Sequence, residues 1–120
     1  MAPYAVGVAA DAEVVMAYIM LQYDRPTDRQ NWNDYNRHVR DWISQLLQAP
    51  GAVSFVAYRT ADAASPDTFT MLEFRTQEEA RKAVASEPMK RVLDGLRSVG
   101  AMAKVQVVER SPFTPLPIQA

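Results

Sequence analysis

The sequence VVMAYIML, which spans Val14 to Leu21, decides how this chain folds. Strands that face a core on one side and water on the other alternate apolar and polar residues, and this run does not. The run is also too short to cross a bilayer. It therefore predicts a β-strand that is apolar on both faces and belongs to a globular domain.

One pattern occurs twice along the chain, starting with this strand. An apolar strand, an amphipathic helix and a second strand are predicted over Val14–Thr60, and the same order recurs over Thr68–Glu109. Strand, helix, strand, strand, helix, strand is the split βαβ order of the ferredoxin-like α+β fold, with a four-stranded antiparallel sheet. The helices of such a fold cover one sheet face only. A second copy of the chain is the simplest cover for the other face, which predicts a homodimer through that face.

Both predicted helices carry start and stop signals. The first is expected over residues 28–48 with Thr27 as its cap. The second opens with a capping box at Thr76, is divided by Pro88 and ends at Gly100. The apolar arc of the first helix, which we expect to face the sheet, comprises Trp32, Tyr35, Val39, Trp42, Ile43, Leu46 and Leu47.

Two short segments are expected to flank a single domain. We predict a flexible N-terminal extension over residues 1–12, the ferredoxin-like domain over 13–110, and an extended, proline-rich tail over 111–120. Proline fixes φ and removes a hydrogen-bond donor, so the tail cannot form a helix or a central strand. Phe113, Leu116 and Ile118 are too apolar for a solvated tail, and we expect them to pack on the partner subunit.

Composition excludes several classes of function. The chain has no cysteine, which excludes thiolate nucleophiles and cysteine-bound metals and predicts a reducing, cytoplasmic location. The 13 Lys and Arg residues nearly balance 14 Asp and Glu residues and are interspersed with them, so no nucleic-acid partner is expected. One histidine with scattered acids is a poor metal site, and no Gly-rich phosphate loop occurs. We therefore expect no metal and no cofactor, and the short apolar run predicts no membrane association.

Three further stretches resemble a known superfamily. Ala49-Pro50-Gly51 leads into the second strand, FRTQEEA over residues 74–80 turns into a broken helix, and a valine-rich strand over 105–113 ends in Ser-Pro-Phe. These stretches and the order of elements resemble the dimeric α/β-barrel superfamily, and within it proteins of the antibiotic-biosynthesis-monooxygenase type. The resemblance implies two sheets that face each other in a homodimer, and a cavity between each sheet and its own helices. Implied activities are cofactor-independent oxygenation of quinol-like aromatics, haem degradation, and cyclisation or isomerisation of small molecules, while several members have no known activity.

His38 is the side chain best suited to act as a base near neutral pH. It lies at the flank of the apolar arc, and Asp34 and Asp41 lie at spacings that permit a carboxylate contact. An imidazole oriented by a carboxylate at a cavity edge would remove a phenolic proton. The alternative is a half-exposed surface histidine.

Asn36 is the second catalytic candidate, because the period of the predicted helix places its polar amide inside the apolar arc. An amide in such a position must be hydrogen-bonded or face a cavity. In a cavity it would stabilise negative charge on a substrate oxygen. The alternative is a structural hydrogen bond to the end of a strand.

Aromatic residues are the candidates for binding a planar substrate. Trp32, Tyr35 and Trp42 form a stripe at helical spacing, which indicates either core packing or a stacking wall. Tyr18 and Tyr58 are expected to direct their hydroxyls into the helix-side cavity or into the barrel, depending on which strand face they occupy. Arg59 lies near a strand end, where solvated surface charge is the usual outcome.

Three functional classes remain open. We expect a cofactor-independent, monooxygenase-like enzyme that acts on a small aromatic or polyketide-like molecule in the cavity between helices and sheet. The alternatives are a non-catalytic ligand-binding or structural dimer, and an isomerase or cyclase of the same superfamily. In the expected mechanism His38, or a tyrosinate, takes a phenolic proton from a substrate stacked on Trp42, and Asn36 stabilises the charge while the anion reacts with oxygen.

Overall fold

A computed structural model describes residues 16–120 and contains the predicted elements in the predicted order. The elements are β1 (Ala17–Tyr23), α1 (Arg29–Leu47), β2 (Ala52–Arg59), β3 (Thr68–Phe74), α2 (Gln77–Val84), α3 (Glu87–Ser98) and β4 (Lys104–Glu109). Every strand pair is antiparallel, and the sheet order is β2-β3-β1-β4. The ferredoxin-like α+β fold is confirmed. The predicted extension over residues 1–12 and the first two residues of the predicted first strand lie outside the described residues.

Burial alternates along β1 although its sequence does not. Ala17, Ile19 and Leu21 are almost fully buried beneath the helices, whereas Tyr18 and Met20 on the other face are only half-buried. β3 repeats the alternation, and Met71 lies opposite Met20 in the ladder. One face of the sheet therefore forms the core. This chain leaves the other face half-exposed, and there apolar residues such as Met20 and Met71 lie beside polar pairs such as Gln22 and Gln106.

Helix α1 begins one residue later than expected. Asp28, rather than Thr27, is the N-cap, and its side chain accepts a hydrogen bond from the Asn31 backbone N–H. Aspartate has a carboxylate that also favours the positive end of the helix dipole, which explains why it takes the capping position. The apolar arc covers the sheet at its centre, where Tyr35 and Leu46 are buried. Trp32 and Leu47, at the two ends of the helix, are exposed, so the expectation that the whole arc faces the sheet was wrong there.

The signals in the second half of the chain are confirmed. The Thr76 side chain accepts from the Glu79 backbone N–H and caps α2. Pro88 occupies the first turn of α3, so it separates two short helices, as proline at such a position should. Gly100 follows α3 with φ +81°, a left-handed conformation that glycine adopts at little cost.

The C-terminal tail is exposed but not fully extended. A turn over residues 111–114 is closed by the Thr114 N–H, which donates to the Ser111 carbonyl. Arg110 donates to the Tyr18 hydroxyl and to the Pro115 carbonyl, and these bonds hold the tail beside the half-exposed face of the sheet. Phe113 is 90% exposed. Over residues 16–120, no helix has the length and apolar character needed to cross a membrane.

Candidate functional site

A cleft of about 600 Å³ opens between the middle of α1 and the edge strand β2. It lies at the end of the sheet where β1 and β2 finish and β3 begins. Its walls are apolar along α1 and β2, and its rim is polar. The lining residues are Tyr23, Arg25, Tyr35, Asn36, Val39, Arg40, Ile43, Phe55, Ala57, Tyr58, Arg59, Thr68 and Thr70.

Two tyrosine hydroxyls meet at the inner end of the cleft. The Tyr23 and Tyr35 oxygens lie 2.7 Å apart and are buried, so one hydroxyl donates to the other. Burial, then the hydrogen bond and the charge interaction with Tyr35, raise the pKa of Tyr23 far above its usual value. Tyr23 therefore remains protonated at neutral pH. It can donate a hydrogen bond, but it is a poor source of tyrosinate.

Thr70 supplies a second buried hydroxyl. Its residue is 4% exposed, and its Oγ1 is the single buried side-chain polar atom of the described residues that has no hydrogen-bond partner. A buried hydroxyl without a partner costs free energy. Thr70 lines both the cleft and a smaller internal space of about 20 Å³ next to Trp42.

Three arginines lie on the cleft, and only one of them is neutralised. Arg25 Nε lies 3.3 Å from an Asp67 carboxylate oxygen. Burial alone would raise the pKa of Asp67, but hydrogen bonds from Thr68 and Arg25 outweigh it and lower that pKa below its usual value. Arg40 and Arg59 form no ion pair with any carboxylate of residues 16–120. Within residues 16–120, no Asp, Glu or His lines the cleft, so this part of the chain gives it a positive charge.

Asn36 faces this cleft from α1. It is exposed rather than buried, and its carboxamide has no hydrogen-bond partner among the described residues. The amide is therefore available to a ligand. Arg40 lies one helical turn further on, so the two side chains share one face of the helix.

His38 lies on another side of α1. Its imidazole is exposed and stacks on Trp42, with ring centroids 6.0 Å apart. It does not line the cleft. The expected contacts with Asp34 and Asp41 do not form within 4.0 Å, and Asp34 is engaged by Gln30 and Arg37 instead. Trp42 itself packs inward against the core and the edge of the Tyr35 ring.

The remaining aromatic candidates divide between the two sheet faces. Trp32 stacks on Tyr35 at 5.9 Å, and the Arg25 guanidinium lies 6.0 Å from its ring centre, but Trp32 itself does not line the cleft. Tyr58, near the end of β2, borders the cleft, but its ladder partner Phe69 places it on the half-exposed face of the sheet. Tyr18 lies on the half-exposed face, where Arg110 donates to its hydroxyl, so it is separated from the cleft by the sheet.

Tyr23, Thr70 and the arginines are polar cleft residues that sequence reasoning missed. Arg40 follows Asn36 by four residues on the predicted helix, and this spacing was a usable signal. Arg59 appeared to be ordinary surface charge, and nothing in the sequence showed that it lacks a carboxylate partner. Among the described residues, no group of three or more His, Asp and Glu side chains is placed to hold a metal ion.

Solved structures from several bacteria resemble this chain. SnoaB from Streptomyces nogalater, a cofactor-independent oxygenase, matches with a TM-score of 0.63 and 11% identity over 84% of this chain and 98% of its own. A DABB-family protein with a ferredoxin-like fold from Mesorhizobium loti has a TM-score of 0.61 and 14% identity, over 82% and 97%. A candidate antibiotic biosynthesis monooxygenase from Nitrosomonas europaea has a TM-score of 0.56 and 16% identity, over 78% and 89%. This chain has their fold.

Identities this low establish the fold alone. No protein-family model and no curated protein sequence matches the chain. The resemblance to proteins of the antibiotic-biosynthesis-monooxygenase type is therefore confirmed for the architecture, and the activity must be argued from the cleft.

Proposed function

We propose that the protein binds a small aromatic molecule in this cleft and oxygenates it with dioxygen, without a metal or an organic cofactor. The observation that carries the proposal is the Asn36 carboxamide, which faces an apolar-walled cleft and has no hydrogen-bond partner among residues 16–120. SnoaB, described as a cofactor-independent oxygenase, has the same fold and adds support.

The walls and the amide have separate roles in this proposal. Val39, Ile43 and Phe55 provide the apolar surface against which an aromatic ring packs. Asn36 donates a hydrogen bond to an oxygen of that ring. Such a donor stabilises negative charge as it develops on the oxygen, which is the usual means by which a preorganised amide accelerates a reaction.

Ionisation of the substrate depends on charge rather than on a base in the cleft. The lining has no carboxylate and no imidazole, and Tyr23 stays protonated. Arg40 and Arg59 form no ion pair within residues 16–120, and their charges favour the phenolate of a bound phenol, because an opposite charge nearby lowers a pKa. The proton then leaves to water at the open rim. His38 has no part in this step.

The oxygenation balances without a reductant. The phenolate donates electrons to dioxygen, a carbon–oxygen bond forms, and the ring carbon that bears the new oxygen loses its hydrogen. The oxygen–oxygen bond breaks, one oxygen atom stays on the product as a quinone carbonyl, and the other leaves as water. The substrate supplies all the electrons that reduce dioxygen.

The half-exposed sheet face supports the proposal of a homodimer. On this face Met20, Met71 and Val56 lie side by side on three neighbouring strands and form an apolar surface. Tyr18 lies on the same face, two residues from Met20. Burying such a surface is favourable in proportion to its area. Light scattering of the purified protein should give the mass of two chains, and Met20→Glu should give the mass of one. A monomeric wild-type protein would contradict the proposal.

An oxygen electrode with naphthols, hydroquinones and anthrones tests the activity. We expect oxygen uptake with at least one of these compounds, and one labelled atom in the product when isotopically labelled dioxygen is supplied. The matched variant is Asn36→Ala, which should bind the same compound but consume oxygen far more slowly. Wild-type protein that consumes no oxygen with any compound contradicts the oxygenase.

The second candidate function is a non-catalytic binding protein, because no carboxylate or imidazole of residues 16–120 lines the cleft to act as a base. It predicts that an aromatic compound binds in the cleft and is recovered unchanged. Conversion of the compound without oxygen uptake would instead indicate an isomerase or a cyclase. Product analysis by mass spectrometry separates these outcomes.

A further inference from the structure

We propose that the cleft selects aromatic molecules that carry a negative charge, and that Arg40 and Arg59 together bind the anionic group. This inference rests on the proposed function for the location of the site, but not on any reaction there. It names the substrate class as aromatic acids, meaning aromatic carboxylates or acidic phenols.

The charge of the cleft is the first observation. Arg25 is matched by Asp67, while Arg40 and Arg59 are left without a carboxylate among residues 16–120, and no acid lines the cleft. The chain as a whole carries a net charge of −1. The positive charge is therefore a local property of this cleft, and it complements an anion.

The positions of the two arginines are the second observation. Arg40 comes from α1 and Arg59 from the end of β2, so the two cations belong to opposite walls. Ile43 lies on the α1 wall and Phe55 lies on the β2 wall. Their side chains form the apolar part of the cleft, between the two arginines and the core. A ligand with an apolar ring and one anionic group matches this order, with its ring inside and its charge at the rim.

Guanidinium chemistry accounts for the selectivity. Arginine presents its N–H donors in a planar fork that fits the two oxygens of a carboxylate, and such charge-assisted bonds are stronger than neutral ones. The attraction at an exposed rim is screened by salt. Affinity should therefore depend on the charge of the ligand and fall as the salt concentration rises.

The test compares probes that differ only in charge. Binding of 2-naphthoate and of the neutral 2-naphthylmethanol is measured by calorimetry on the full chain at low and high salt. We expect the carboxylate to bind roughly tenfold more tightly at low salt, the size given by a pair of partly exposed charge-assisted contacts. A third probe, 4-nitrophenol at a pH where it is ionised, shows whether a phenolate is accepted as well as a carboxylate.

Matched variants identify the cations. Arg40→Gln and Arg59→Gln should each weaken naphthoate binding by roughly threefold to tenfold and leave the neutral probe unchanged. Arg59→Lys should retain most of the preference, since it keeps the charge. The control Arg81→Gln removes an exposed arginine of α2 outside the cleft and should change neither affinity.

The outcomes are separable from those of the proposed function. Equal affinity for the charged and neutral probes, equal loss in the Arg81 control, or no binding of any probe would overturn the selectivity. Selective binding without any oxygen uptake would leave the selectivity intact and contradict the oxygenase alone.

Discussion

Asn36 and His38 are two residues apart on α1, and the two sides of the helix that they occupy differ completely. Asn36 faces an apolar-walled cleft with two arginines that form no ion pair within the described residues, whereas His38 stacks on Trp42 in contact with solvent. Residues at this spacing point in directions about 200° apart around a helix. The difference teaches that the residue type best suited to acid–base work does not locate the site, because the surroundings of each side chain decide what it can do.

The largest effect should separate the two sides directly. If the cleft is catalytic, Asn36→Ala should lower kcat/KM by about a hundredfold, which is the usual loss when one donor to developing negative charge is removed. His38→Ala should change it by less than about threefold, because an exposed ring outside the cleft loses only surface contacts. Steady-state oxygen uptake by both variants measures this contrast. Equal losses of kcat/KM in the two variants would show that the two sides of the helix do not differ in their role.

The second prediction disturbs the packing on the His38 side of α1 and leaves the residues of the cleft unchanged. Gly95 of α3 lies so close to Trp42 that an added Cβ would approach the indole Cζ2 to 2.7 Å. Gly95→Ala should therefore lower the free energy of unfolding by about 1–2 kcal/mol, since overpacking outweighs the gain in helix propensity. Denaturant unfolding measures the loss, and naphthoate affinity should be unchanged. Unchanged stability would show that the indole moves aside freely.

The third prediction concerns the inner end of the cleft. The pKa of Tyr23 is raised in the folded state, so its contribution to stability is full below about pH 10, the value for an unfolded chain, and is lost as the pH rises further. Above that value wild-type stability should fall by up to about 1.4 kcal/mol per pH unit from this group. Tyr23→Phe should fall less steeply, as measured by urea unfolding between neutral and strongly alkaline pH. Parallel curves for the two proteins would contradict the burial of the Tyr23 hydroxyl.

The smallest effect concerns Thr70. Thr70→Val keeps the shape and removes a buried hydroxyl that has no partner, so it should be neutral or stabilising by up to about 1 kcal/mol. The matched control is Thr68→Val, which removes a hydroxyl that donates to Asp67 at 2.8 Å and should destabilise. Thermal unfolding of both variants gives the comparison. A Thr70→Val protein that is less stable than the Thr68→Val protein would show that the Thr70 hydroxyl has a partner.

Most of the fold could be predicted because its determinants are local. The capping box at Thr76, the break at Pro88 and the left-handed Gly100 are each decided by neighbouring residues, and each is confirmed. The cap of α1 was predicted one residue early, since Thr27 and Asp28 are both good capping residues and only the path of the chain distinguishes them. The faces of β1 could not be read from a run that is apolar throughout, and burial fixes them here.

A residue of the candidate site could be predicted only where its polarity differs from that of the helix face on which it lies. Asn36 was singled out because an amide is out of place in an apolar arc, and the structure places it at the cleft. Arg59 and Thr70 gave no such signal. What distinguishes them is that neither has an ion-pair or hydrogen-bond partner in the described part of the chain, and this is visible only in three dimensions. Tyr18 was a candidate for either face, and strand register puts it on the face away from the cleft.

The most direct test of the account is to map where an aromatic acid binds. Nuclear magnetic resonance of isotopically labelled protein, titrated with 2-naphthoate, reports the Asn36 side-chain amide, the arginine Nε–H groups and the His38 ring in one experiment. We predict that the signals of Asn36, Arg40 and Arg59 shift together and saturate at one affinity, while the His38 signals stay in place. Shifts confined to His38 and Trp42, or to Met20 and its neighbours on the half-exposed sheet face, would contradict the assignment of the site to the cleft.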